Sequence, residues 1–180
     1  MRSFVALLRG VNVGKGKRVP MAELRPLLAD LGYTDVVTLL NSGNAVFRAA
    51  GGTPVQHAAA IAAALAERLA VEVPVIVKSR DELAAIVDGC PIAVEESEHA
   101  RLLVAFAQEA KALRTLAAIE PLVVPPERFA IGRGAAYLFC ARGILASKAG
   151  EALLGRVGRS ATTRNWATVV KLRAAASRGD

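Results

Sequence analysis

With 180 residues, 53% of them hydrophobic and 22% charged, the chain can build one sizeable core or two small lobes, which excludes a disordered polypeptide. Its formal net charge of +7 admits phosphate or nucleic-acid partners without selecting one. No uncharged apolar stretch reaches the roughly 20 residues that span a bilayer, and the run 4–8 is cut by Arg9, so neither a membrane segment nor a secretory signal is expected.

Residues 3–8 form a short apolar run that reads as a central strand. After a glycine-bearing loop, Pro20 suits a first helical position. Met21, Leu24, Leu28 and Leu31 then follow at helical spacing, and Gly32 supplies a stop. Pro26 conflicts with a helix interior, so a kink or a late start is expected there. The β-type runs 36–40 and 45–48 flank Asn41, Ser42, Gly43 and Asn44, a hairpin turn whose short polar side chains can bond their own backbone. Thr53 and Pro54 open a helix by N-cap and N1 chemistry, with Ile61, Leu65 and Leu69 on one face. A strand at 73–77 and a short helix capped at Ser79 and ending at Gly89 follow.

From residue 101 the order repeats. A strand at 101–107 precedes a helix at 109–119 and a connector at 120–126 with three prolines. Strands at 128–131 and 137–141 flank Gly132, Arg133 and Gly134. A helix at 147–154, an extended piece at 160–162 and a terminal helix from about Thr163 complete the chain, with Trp166 read as a core anchor. Two β-α-β-β-α-β units predict an α+β fold of two ferredoxin-like halves, a duplication, plus a C-terminal helix. The expected subdomains are 1–90 and 91–180, together one compact globular unit.

Positive charge gathers at the two ends. Residues 1–18 hold five Lys/Arg and no acid, and residues 142–180 hold eight Lys/Arg against Glu151 and Asp180. Glycine lets the main chain approach a ligand while Lys and Arg supply the field, so both segments are candidate anion sites. In the first, Arg9, Asn12, Lys15, Lys17 and Arg18 lie in a strand-to-helix loop suited to a nest of N–H groups. It is not a P-loop: Gly10 and Gly14 are one residue too close, and Gly16 follows Lys15 where a hydroxyl is required. Asn41, Ser42 and Asn44 either satisfy their own turn or form a polar wall beside this loop. In the second segment, Thr162 or Thr163 would N-cap the last helix, placing Arg164 and Asn165 at its positive end. Arg164, Lys171 and Arg178, seven apart, would then form one cationic stripe. Ser147 and Lys148 open another helix and are a further candidate contact.

Catalytic constellations are thin. His57 lies on an alanine-rich helix and His99 beside Glu95, Glu96 and Glu98, neither with a nucleophile partner in the local sequence. That acidic cluster reads as a solvated loop rather than a metal site. Cys90 and Cys140 have no metal or redox spacing, which suits a reduced, cytoplasmic protein without metal or cofactor.

The segments 7–14 (Leu-Leu-Arg-Gly-Val-Asn-Val-Gly), 19–25 (Val-Pro-Met-Ala-Glu-Leu-Arg) and 41–44, the pair Ser147-Lys148, and 163–166 (Thr-Arg-Asn-Trp) resemble the DUF1697 family in the same order. The resemblance implies two similar ferredoxin-like halves and brings no activity, substrate or catalytic residue. Two positions depart from the family pattern. Phe139 stands where a histidine is common after Tyr137-Leu138, and Ala167 where an asparagine commonly follows Trp166. The expected function is phosphate-anion binding, of nucleic acid or nucleotide, through the basic loops. Two alternatives stay open: an enzyme or sensor for a small phosphorylated or carboxylated metabolite in a cleft between lobes, and a scaffold for an acidic protein.

Overall fold

The computed structural model describes residues 1–178, and the first apolar run becomes its β1 (Arg2–Leu8). β1 is paired antiparallel on both edges, with β3 (Asn44–Ala49) and β4 (Val75–Ser79), and β2 (Thr34–Leu39) lies outside β3. Alternation along the strand sends Phe4, Ala6 and Leu8 into a core with Leu24, Leu27 and Leu28 of α1 (Met21–Asp30) and Ile61 and Leu65 of α2 (Pro54–Leu69). Thr53 and Gln56 form a complete capping box at the start of α2.

The second half repeats this plan. β5 (Leu102–Ala107) is central, in the order β6 (Arg128–Ile131), β7 (Ala135–Phe139), β5, β8 (Ala161–Asn165). Leu103, Ala105 and Ala107 face a core with Leu113 of α4 (Ala110–Thr115) and Leu153 of α5 (Lys148–Leu154). The fold is therefore α+β with two ferredoxin-like halves, and the duplication holds at the level of register. Val5 opposes Lys78, and Val104 opposes Arg164. One rung on, Ser79 and Asn165 each cap the helix that follows. Ser79 Oγ accepts the Glu82 amide (3.1 Å) at the start of α3 (Arg80–Asp88), and Asn165 Oδ1 accepts the Thr168 amide (3.0 Å) at the start of α6 (Trp166–Ala176). α6 is thus the expected C-terminal helix, following the second half as α3 follows the first.

The chain divides into one unit of residues 1–83 with the segment from Leu172 on, and a second of Ala84–Lys171. This differs from the expected 1–90 and 91–180: the division falls inside α3, and the chain rejoins the first unit inside α6. Among the described residues no helix is long and apolar enough to cross a membrane.

Some local expectations are corrected. α1 runs through Pro26 without a late start, because Pro26 lies on its exposed face while Leu24, Leu27 and Leu28 are buried. Pro20 stands at the N-cap, not inside the helix. The expected helix 109–119 tightens after Thr115 into a 3₁₀ segment, Leu116–Leu122, that contains Pro121. Thr163, Arg164 and Asn165 belong to β8 rather than to the last helix, since the β-branched threonines continue the ladder with β5.

His57 is buried on α2, its Nδ1 2.9 Å from the Tyr33 hydroxyl and its ring against Phe4 and Phe47. Nε2 is enclosed and, among the described residues, has no hydrogen-bond partner. Burial holds the imidazole below its usual pKa. The folded state then binds fewer protons than the unfolded chain, so the contribution is complete above about pH 6.5 and is lost as pH falls. Urea unfolding between pH 7.5 and 5 is expected to show declining stability, with a flatter profile in His57→Phe; parallel profiles would remove His57 as the cause.

Candidate functional site

The chain leaves β1 at Arg9, whose amide donates to the Pro74 carbonyl (2.9 Å), and turns through left-handed Gly10 (φ 66°), Asn12 (56°) and Gly14 (49°). Asn12 organises this loop. Its Nδ2 donates to the carbonyls of Val19 and Asn41, both at 2.7 Å, while its Oδ1 accepts the Val19 amide at 3.0 Å. Asparagine tolerates the left-handed region, and its amide offers both donors and an acceptor at once. The Asn12 backbone amide donates to Lys17 (2.8 Å), and that of Gly16 to Val13 (2.8 Å), closing the inner turn.

The polar turn between β2 and β3 lies against the same loop. Because β1 and β3 run antiparallel, the end of one strand meets the start of the other. The Leu8 amide donates to the Gly43 carbonyl at 2.8 Å. Gly43 sits at φ 76°, and a Cβ there would strike Val11 and Leu8. Asn44 is fully buried, its Nδ2 donating to the Leu39 carbonyl and to Ser42 Oγ, both at 3.0 Å. Asn12 and Asn44 therefore hold the site together, whereas the sequence placed Asn12 among the ligand contacts.

Lys15, Lys17 and Arg18 are exposed on this frame. Lys17 Nζ donates to the Glu72 carbonyl and Arg18 Nη2 to the Gly14 carbonyl (3.2 Å). Among the described residues none of these three cations forms an ion pair. Arg9 is half-buried at the foot of the loop.

The C-terminal segment differs from its expectation. Asn165, not Thr162 or Thr163, caps α6. Arg164 is only 8% exposed, and its Nη1 donates to Thr162 Oγ1 and the Thr163 carbonyl, both at 2.9 Å. Burial lowers its pKa to about 10, which leaves it a cation at neutral pH. It shares no helical stripe with Lys171, which is exposed on α6, or with Arg178, which lies beyond the end of that helix. Ser147 is buried as the cap of α5, accepting the Gly150 amide at 2.9 Å, while Lys148 is exposed.

Sequence reasoning passed over Lys78, 6% exposed on β4 at the register position that Arg164 holds in the other half. Burial lowers its pKa, and the nearby Glu82 carboxylate opposes that shift. The legible signal was a single cation in the otherwise apolar run 75–78.

Among solved structures the chain is similar to the conserved bacterial protein SP0830 from Streptococcus pneumoniae. Identity is 25% and the TM-score 0.81, over 98% of this chain and 99% of that one. No curated protein matches. The family model described as "Protein of unknown function (DUF1697)" matches residues 1–137, which include the whole loop, its polar turn and both strands that frame them. By that match the chain belongs to the DUF1697 family.

Proposed function

We propose that the protein binds phosphate groups, of a nucleic acid or a nucleotide, through the loop between β1 and α1, and that it does so in the cytoplasm. The observation that carries this reading is the trio Lys15, Lys17 and Arg18: exposed, without ion pairs among the described residues, on a loop locked by Asn12. A loop already fixed loses little freedom when an anion docks, and unpaired cations release counterions when they neutralise phosphate. Arg9 adds charge at the base of the loop. Lys148 and Lys171, exposed in the second unit, are secondary contacts. Only 4% of the residues are aromatic, so contact with the sugar–phosphate backbone is favoured over base stacking. Free Cys90 and Cys140 suit a reducing compartment.

Fluorescence anisotropy with labelled single-stranded RNA and duplex DNA, at about 50 and 200 mM salt, is expected to show binding that weakens steeply with salt. The double variant Lys15→Ala/Lys17→Ala should reduce the log–log slope by about 1.5, since each neutralised phosphate contributes about 0.7 to 0.9. An unchanged slope assigns binding to another surface, and no binding at the lower salt removes the reading.

The frame is tested separately. Asn12→Ala removes three hydrogen bonds and leaves a β-carbon at φ 56°, so a stability loss of about 1–3 kcal/mol is expected in urea unfolding. Asn12→Gly should recover only the part due to backbone strain. Equal stability of Asn12→Ala and the parent would show that the amide does not hold the loop.

A further inference from the structure

The first unit carries a charged cavity at the opposite end of β1 from the basic loop. β2 and β3 shift register between Thr34 and Val37: Thr34 opposes Arg48, whereas Val37 opposes Val46, so β2 holds one extra residue. Asp35, at φ 51°, lies within that shift. Bulges re-aim the side chains around them. Here Asp35 Oδ2 lies 3.9 Å from Arg48 Nη1, and Val37 is left 46% exposed. Ser3, Asp35, Val37, Val46, Arg48 and Arg178 line a space of about 330 Å³, within the usual range for small-ligand pockets.

The lining selects a ligand by charge and shape. Among the described residues that line it, two guanidiniums face one carboxylate, an excess of a single positive charge, which matches a monoanion better than a phosphate dianion. Arg48 is held in place, its Nη2 donating to the Met1 carbonyl at 3.3 Å. The planar fork of arginine fits a carboxylate with two parallel hydrogen bonds. Val37 and Val46 offer apolar walls beside that charge. We infer that this cavity binds a small apolar monocarboxylate, with its carboxylate between Arg48 and Arg178 and its hydrocarbon against Val37 and Val46. The site shares no residue with the basic loop and stands whether or not that loop binds phosphate.

The test is an NMR titration of the full chain, methyl-labelled at valine, with benzoate and hexanoate, and with inorganic phosphate for comparison. Saturable shifts at the Val37 and Val46 methyls are expected with both carboxylates. Arg178→Ala, an exposed position beyond the last helix, should weaken binding roughly tenfold. Arg48→Lys keeps the charge but loses the fork and should also weaken it. Asp35→Asn should tighten it by removing the competing carboxylate, and Lys15→Ala/Lys17→Ala should leave it unchanged. The inference is overturned by a lack of saturation up to roughly 10 mM, by equal affinity in Arg178→Ala, or by phosphate binding as tightly as the carboxylates.

Discussion

The first unit depends on β1 being paired along both edges by antiparallel partners. That one constraint decides what meets at each end of the strand. At the Leu8 end it gathers the glycine-bearing loop, the β2–β3 turn and Pro74, tied by the amides of Leu8 and Arg9. At the Ser3 end it brings Arg48 alongside, where the extra residue of β2 opens a cavity. Alternation along the same strand supplies the helical core from Phe4, Ala6 and Leu8. β5 has the same place in the second half, with Val104 as its central rung.

Within this frame, polar side chains divide into builders and bearers of charge. Asn12, Asn44, Ser147 and Asn165 have their hydrogen-bonding groups turned to the backbone, where each fixes a loop, a turn or a helix start. Lys15, Lys17 and Arg18 are exposed to solvent, although Lys17 and Arg18 each also give a donor to a carbonyl, of Glu72 and Gly14. Three like charges within four residues repel one another in the unliganded protein, and exposed pairs would have contributed little to stability in any case. Their charge is a field directed at solvent.

Element order was legible because periodicity and punctuation agreed. The capping box at Thr53 and Gln56, the left-handed Gly32 and the apolar alternation of the strands all lie in the residues themselves. The junction of β8 and α6 was not legible, because adjacent threonines suit an N-cap and a strand equally, and only the ladder to β5 decides. Burial of Arg164 and Lys78 was hidden too, since these residue types are almost always exposed. The meeting of Asn12 with Asn41 depends on strand direction, and the Arg48 cavity on a register shift. Both properties involve two strands at once, and no local spacing encodes them.

The matching positions of Ser79 and Asn165 bear on how the chain can be shortened. A C-terminal helix is often treated as trimmable, but here it completes a repeated strand–cap–helix module. Truncation after Asn165 would leave the second half one element short of the first and the Asn165 side chain with no amide to cap. The same cut would remove Arg178 from its cavity in the first unit. Residues 166–178 thus complete a helix start in one half and line a cavity in the other, so a chain shortened at Asn165 would differ in both.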